Sequence, residues 1–140
     1  MKTGFIGLGL IGGSIARAVR YFYPEAEIVA ASRTRAPLEQ AVKDGVVNRI
    51  LPGVTEDFAD CDYVFLCAPV ADNTEYLKAL KPVIRSSCIL TDVGSTKCDI
   101  HEKVTELGLE VNFIGGHPMT GSEKTGYAHS RRILIENAYY

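Results

Sequence analysis

Short apolar runs alternate with amphipathic stretches along the whole of this chain. Lys2 to Gly7, Glu27 to Ala31, Arg49 to Leu51, Tyr63 to Cys67, Cys88 to Asp92 and Val111 to Gly115 are brief and rich in apolar or β-branched residues. Each is bounded by polar or turn-forming positions, so each reads as a buried strand. A seventh run, Ile133 to Ile135, gives the same signal over fewer residues. Between the strands, Gly12 to Phe22, Ala36 to Asp44, Asn73 to Leu80 and Lys97 to Leu107 carry apolar residues three and four apart and read as helices, with a short turn over Glu56 to Ala59. Buried strands separated by helices predict an α/β fold, a doubly wound and mainly parallel sheet covered on both faces. No repeat or linker divides residues 1–140, which read as one domain.

The first strand leads into Gly7-Leu8-Gly9-Leu10-Ile11-Gly12, the G-x-G-x-x-G spacing of a dinucleotide site, which makes the fold Rossmann-type. The spacing has a mechanical cause: Gly7 permits a tight turn, Gly9 lets the backbone approach a diphosphate, and Gly12 lets the helix close onto the sheet. The diphosphate would rest on the unpaired amides at the helix N-terminus, where the helix dipole favours negative charge. At the end of the second strand, where an NAD site carries an acid for the ribose hydroxyl, this chain has Ser32-Arg33-Thr34. Glu25 and Glu27 come too early to replace that acid. A small hydroxyl beside Arg33 and Arg35 suits a 2′-phosphate, so NADP is expected over NAD. The fourth and fifth strands end in Cys67-Ala68-Pro69 and in Asp92-Val93-Gly94-Ser95, and ligands of open α/β sheets bind beyond such carboxyl ends. Cys67, Ala68, Pro69 and Gly94 therefore join the expected cofactor set, with Cys67 as a small packed side chain and not a nucleophile.

Composition narrows the partners. Fifteen basic and 17 acidic residues give a net charge of −2, which leaves no basic field for nucleic acid. The four cysteines, Cys61, Cys67, Cys88 and Cys98, form no C-x-x-C pair and are expected as reduced thiols, with neither disulfide nor metal site. Lys2, an uncharged run to Ala16 and then Ala16-Arg17-Ala18 imitate a secretory leader, but five glycines make a poor apolar helix and cleavage would delete the phosphate loop. The run also falls short of the ~20 apolar residues needed to span a bilayer. A cytoplasmic protein without membrane partners is expected.

The second chemistry-bearing stretch is Gly115-Gly116-His117-Pro118-Met119-Thr120-Gly121-Ser122-Glu123-Lys124-Thr125-Gly126. His117 follows a strand's carboxyl end on the cofactor side, where a neutral imidazole could accept a hydrogen bond or proton from an alcohol as hydride leaves its carbon. His101 and His129 read as surface residues, and Lys97 as a residue on the face of its helix.

The loops G-L-G-L-I-G-G-S, F-L-C-A-P-V, T-D-V-G-S-T-K and G-G-H-P-M-T-G-S-E-K-T-G-Y, in that order, resemble the nucleotide-binding domain of the prephenate dehydrogenase family, which includes arogenate dehydrogenases. The resemblance covers essentially the whole chain. It implies oxidative decarboxylation of prephenate to 4-hydroxyphenylpyruvate, a step in tyrosine biosynthesis, with hydride passing to NADP or NAD. It also implies roles by position: His117 polarises the substrate's ring hydroxyl, Ser95 orients it, and Glu123 stands at the mouth of the site. The family's second, helical domain, which forms a homodimer and grips the substrate carboxylate, has no counterpart in these residues, so cofactor binding without appreciable turnover is expected of them alone. A non-catalytic NADP(H) sensor and a hydroxyacid or imine reductase are the alternative readings.

Overall fold

The computed structural model describes residues 1–140. Six parallel strands form one sheet: β1 (Lys2–Ile6), β2 (Glu27–Ala31), β3 (Arg49–Leu51), β4 (Tyr63–Leu66), β5 (Ile89–Asp92) and β6 (Phe113–Ile114). Their spatial order is β3-β2-β1-β4-β5-β6, so the order reverses between β1 and β4. The intervening helices are α1 (Leu10–Phe22), α2 (Arg35–Lys43), α3 (Val70–Leu80) and α4 (Cys98–Leu107). This is the Rossmann-type architecture expected, and the reversal marks where its ligand crevice opens. No helix is long and apolar enough to cross a membrane.

The period of two along the strands divides the interior into two layers. Phe5, Ile28 and Ala30 face α1 and α2, meeting Ile15, Ala16, Leu38 and Ala41. Their neighbours Ile6, Val29 and Ala31 face the other way with Val64, Leu66 and Leu90, against Leu77 and Leu80 of α3 and Ile100 and Val104 of α4. Both sheet faces are apolar because crossover helices cover both. Phe5 and Phe65 stack across β1 and β4 with ring centroids 5.1 Å apart. A one-residue slip in either central strand would exchange its two apolar sets between the layers.

The expected strand at Ile133 to Ile135 is not formed. Arg132–Leu134 is a 3-10 turn, in which Ile135 donates its amide to the Arg132 carbonyl at 3.0 Å. The cause is tertiary. The tail crosses back over α1, where the Arg132 guanidinium lies 3.8 Å above the Tyr21 ring, and a second 3-10 turn, Tyr127–His129, is tied to the same helix. Arg131 donates its amide to Ser14 Oγ at 3.0 Å, and Arg17 Nε donates to Ser130 Oγ at 3.0 Å. The sheet edge also offers little ladder to extend, since β6 is two residues long and not the five expected. Its short length has a local cause. Val111 is solvent-exposed, and the Asn112 side chain donates to the carbonyls of Ser86 and Cys88, taking up the approach to the strand.

Candidate functional site

All six strands are parallel, so the loops after β1, β4, β5 and β6 emerge at one end of the sheet. The glycine turn occupies the centre of that end. Gly7 has φ +88°, a backbone region that side chains rarely adopt, and a Cβ there would lie 2.7 Å from the Ala68 nitrogen. Gly12 meets the first strand end, since its Cβ would be 2.7 Å from the Gly7 oxygen and 2.9 Å from Cys67 Cβ. Gly9 differs from both. It caps α1 without a side-chain hydrogen bond, and nothing lies within 4 Å of where its Cβ would be. Close packing on two sides and open space on the third is what a diphosphate cradle requires. The first amides of α1, on Leu10, Ile11 and Gly12, have no carbonyl one turn back to pair with, and no acidic residue stands in the first turn to compete with an anion. The residues present therefore fit a dinucleotide.

A cleft of about 260 Å³ extends from this turn. Gly7, Leu8, Gly9, Ser32, Arg33, Thr34, Cys67, Ala68 and Pro69, all expected from the sequence, line it. Leu10, Ile11 and Gly12, the first turn of α1, follow Gly9 directly but do not line the cleft, and Gly94 also lies outside it, on the loop after β5. Arg33 is largely exposed, and its guanidinium sits 3.0 Å from the Asp72 carboxylate on the first turn of α3. Arg35 does not line the cleft: it opens α2 and pairs with Glu39 one turn along the same helix at 2.8 Å. The Cys67 thiol is enclosed against Gly12, and burial pushes its pKa well up, with Asp92 adding repulsion. A raised pKa favours the protonated thiol over the reactive thiolate.

The remaining candidates stand on the loops after β5 and β6. Ser95 and His117 are both exposed, and each follows a glycine tied to the same buried side chain. Gly94 donates its amide to Asp92 Oδ2 at 2.9 Å, and Gly116 donates its amide to Asp92 Oδ1 at 3.2 Å. Lys97 does not lie along a helix face. As the residue before α4 it folds back, with its ammonium 2.5 Å from Asp92 Oδ2 and 2.7 Å from the Gly94 carbonyl. Glu123 is exposed on the irregular segment that follows and forms no ion pair or hydrogen bond with the rest of the chain. The tail braces the His117 loop: Met119 donates its amide to the Tyr139 carbonyl at 2.8 Å, and the Tyr140 hydroxyl donates to the Asp92 carbonyl at 3.0 Å. Burial pushes the Tyr140 phenol up to about 12.

Four cleft residues escaped the sequence reading: Pro37, Tyr76, Gly126 and Tyr127. Tyr127 is buried, and its hydroxyl donates to Asp44 at 3.2 Å while Arg17 stacks on its ring at 4.7 Å. The one signal that could have found it was the second of two adjacent glycines. A Cβ on Gly13 would lie 2.7 Å from the Tyr127 ring, so Gly13 opens α1 to the tail as Gly12 opens it to the sheet.

Comparison with known proteins agrees with this geometry. The family model described as "Prephenate dehydrogenase, nucleotide-binding domain" matches residues 15–140. The chain belongs to this family. Prephenate dehydrogenase of Lactococcus lactis subsp. cremoris is 38% identical over 142 aligned positions, covering 99% of this chain and 40% of that protein. The crystal structure of Synechocystis arogenate dehydrogenase superposes with a TM-score of 0.87 at 33% identity, over 99% of this chain and 48% of that one. That of prephenate dehydrogenase from A. aeolicus, in complex with hydroxyphenyl propionate and NAD+, superposes with a TM-score of 0.89 at 28% identity over the same shares. The chain thus spans less than half the length of each of these relatives, as the nucleotide-binding part of an oxidoreductase family.

Proposed function

We propose that this chain is the nucleotide-binding part of a dehydrogenase that converts prephenate to 4-hydroxyphenylpyruvate and carbon dioxide, with NADP as the preferred acceptor. The observation that carries the reading is the three-sided glycine turn, closed by Gly7 and Gly12 and open at Gly9, on the same end of the sheet as the His117 loop. Three interstrand steps separate β1 from β6, about 14 Å at the usual spacing. A dinucleotide laid across the strand ends from Ser32, after β2, towards β5 crosses the same number of steps and ends one strand from the His117 loop.

The bound nicotinamide supplies the hydride acceptor, and everything else falls to backbone amides and side chains of the protein. Leu10, Ile11 and Gly12 offer amides to the diphosphate. Arg33 and Ser32 receive the 2′-phosphate once Arg33 leaves Asp72. His117 accepts the hydrogen bond of the substrate's ring hydroxyl, holding its proton while the adjacent carbon gives up hydride. Ser95 donates to the same oxygen and fixes its direction, and Glu123 borders the entrance. Release of carbon dioxide then makes the ring aromatic, so the hydroxyl keeps its proton and no net base is consumed.

Titrating this chain separately with NADP and NAD tests the cofactor reading, and comparable affinities overturn the preference for NADP. In the whole natural polypeptide, His117→Asn should abolish turnover of prephenate and leave nucleotide affinity unchanged; an unaltered rate removes His117 from its role. Turnover of arogenate in place of prephenate corrects the substrate and leaves the machinery standing. The same reading has the whole protein dimerise outside these residues, so the 140-residue chain should sediment as a monomer.

A further inference from the structure

Asp92 is completely buried at the carboxyl end of β5, and none of the steps above uses it. An uncompensated carboxylate there would be strongly unfavourable, and this one is compensated in an unusual direction. Two of its partners are backbone amides of different loops. Oδ2 accepts from Gly94 at 2.9 Å and from the Lys97 ammonium at 2.5 Å, while Oδ1 accepts from Gly116 at 3.2 Å. The pairing of β5 with β6 ends at Thr91 and Ile114, so beyond that rung the two loops are no longer joined by a ladder. The carboxylate takes over where the ladder stops.

The glycines make this approach possible. A Cβ on Gly116 would lie 2.1 Å from a Tyr140 ring atom and 2.8 Å from the Asp92 carbonyl oxygen, and one on Gly94 would lie 3.0 Å from Asp92 Oδ2. Ser95 and His117 each stand one residue beyond a tied amide. Building on the reading in which those two side chains act on one substrate hydroxyl, we infer that Asp92 is a positioning residue that sets the separation of Ser95 from His117, with Lys97 balancing its charge. A carboxylate suits the task because it accepts on both oxygens at once. An asparagine of the same shape can accept on only one, so one loop would be released while the other stayed held.

The test is a double-mutant cycle in the whole natural polypeptide, with Asp92→Asn, His117→Asn and both together. Asp92→Asn alone should lower kcat about 100-fold, the cost of misplacing a reacting group by an ångström, with nucleotide affinity at the parental level. On the His117→Asn background it should add little further loss, because the group it positions has gone. The same loss on both backgrounds, or nucleotide affinity falling in step with kcat, overturns the positioning role in favour of a structural one. Parental kcat in Asp92→Asn with a full loss in His117→Asn also overturns it, and leaves the proposed function intact. Parental kcat in His117→Asn overturns both. Should Asp92→Asn fail to fold, Asp92→Asn/Lys97→Gln removes the two charges together and carries the same expectations. A readout independent of turnover is amide hydrogen exchange in the 140-residue chain. In Asp92→Asn, exchange at Gly94 or Gly116 should rise while that at Phe5 and Ile6 does not; unchanged exchange at both glycines overturns the tie.

Discussion

Gly9 and Gly12 stand three residues apart in one motif, yet alanine at each should do opposite things. At Gly12 the new methyl would sit 2.7 Å from the Gly7 oxygen and 2.9 Å from Cys67 Cβ, well inside ordinary contact. Neither atom is the free end of a flexible side chain, so α1 must lift from the sheet. Overpacking of this kind costs about 1–3 kcal/mol, and the better helix propensity of alanine returns about 1 kcal/mol of it. The net ~0–2 kcal/mol should lower the melting temperature of Gly12→Ala by up to roughly 8 °C. At Gly9 the methyl meets no protein atom within 4 Å, and φ is −91°, which alanine adopts freely. The melting temperature should move by no more than about 2 °C, with the small loss of a cap residue set against a stiffer unfolded chain. The methyl does occupy the open side of the turn. Displacing one charge-assisted hydrogen bond to a diphosphate costs about 1.5–3 kcal/mol, so the Kd for NADPH should rise at least ~10-fold. Thermal denaturation and fluorescence titration of both variants read out the contrast. Gly9→Ala that melts like the parent and also binds NADPH like the parent would refute the assignment of the cradle.

Other outcomes follow from the cleft and its surroundings. Arg33→Ala should weaken NADP by roughly 10- to 100-fold, the worth of a hydrogen bond to a charged group, and leave NAD unchanged. Asp72→Asn should strengthen NADP by no more than about fivefold, because the Arg33–Asp72 pair is exposed and worth at most ~1 kcal/mol; equal effects on both nucleotides would contradict the 2′-phosphate site. Iodoacetamide at pH 8 should label exposed Cys98 and spare Cys67, whose pKa burial raises, as peptide mass spectrometry can show; rapid labelling of Cys67 would remove its packed role. The Asp44 carboxyl is held below its ordinary value by hydrogen bonds from Arg17 first and Gln40 second. A depressed folded-state pKa contributes stability above the unfolded value, about 3.9, and loses it as pH falls through the folded one. Melting temperatures of the parent and Asp44→Asn should accordingly differ at pH 6 and converge towards pH 3; a constant gap would contradict the linkage.

How legible the molecule was in its sequence depended on whether a feature was local. Gly7, Gly9 and Gly12 could be assigned separate duties because a turn, an approach and a close contact each leave a glycine at a fixed offset. The two-layer core was equally visible, since Ile28-Val29-Ala30-Ala31 has to divide between two faces. Residues 133–135 failed because an apolar triplet carries no information about which surface is free to receive it. Arg131 and Ser14 lie 117 positions apart, and their hydrogen bond decides that the tail follows α1. Lys97 misled for a similar reason. Helix periodicity placed it on a surface, whereas a buried carboxylate five residues earlier draws it back over the strand end. The tie from Asp92 to Gly116 likewise joins loops 24 positions apart and shows in no local pattern.

The most direct test of the account is an isotope-edited NMR titration of the 140-residue chain with NADP. The amides of Gly9 to Gly12 and of Ser32 to Thr34 should shift together and saturably, with smaller changes reaching Gly94 and His117 and none at Asp60 on the opposite end of the sheet. Saturable shifts that bypass the glycine turn, or none at all, would contradict it.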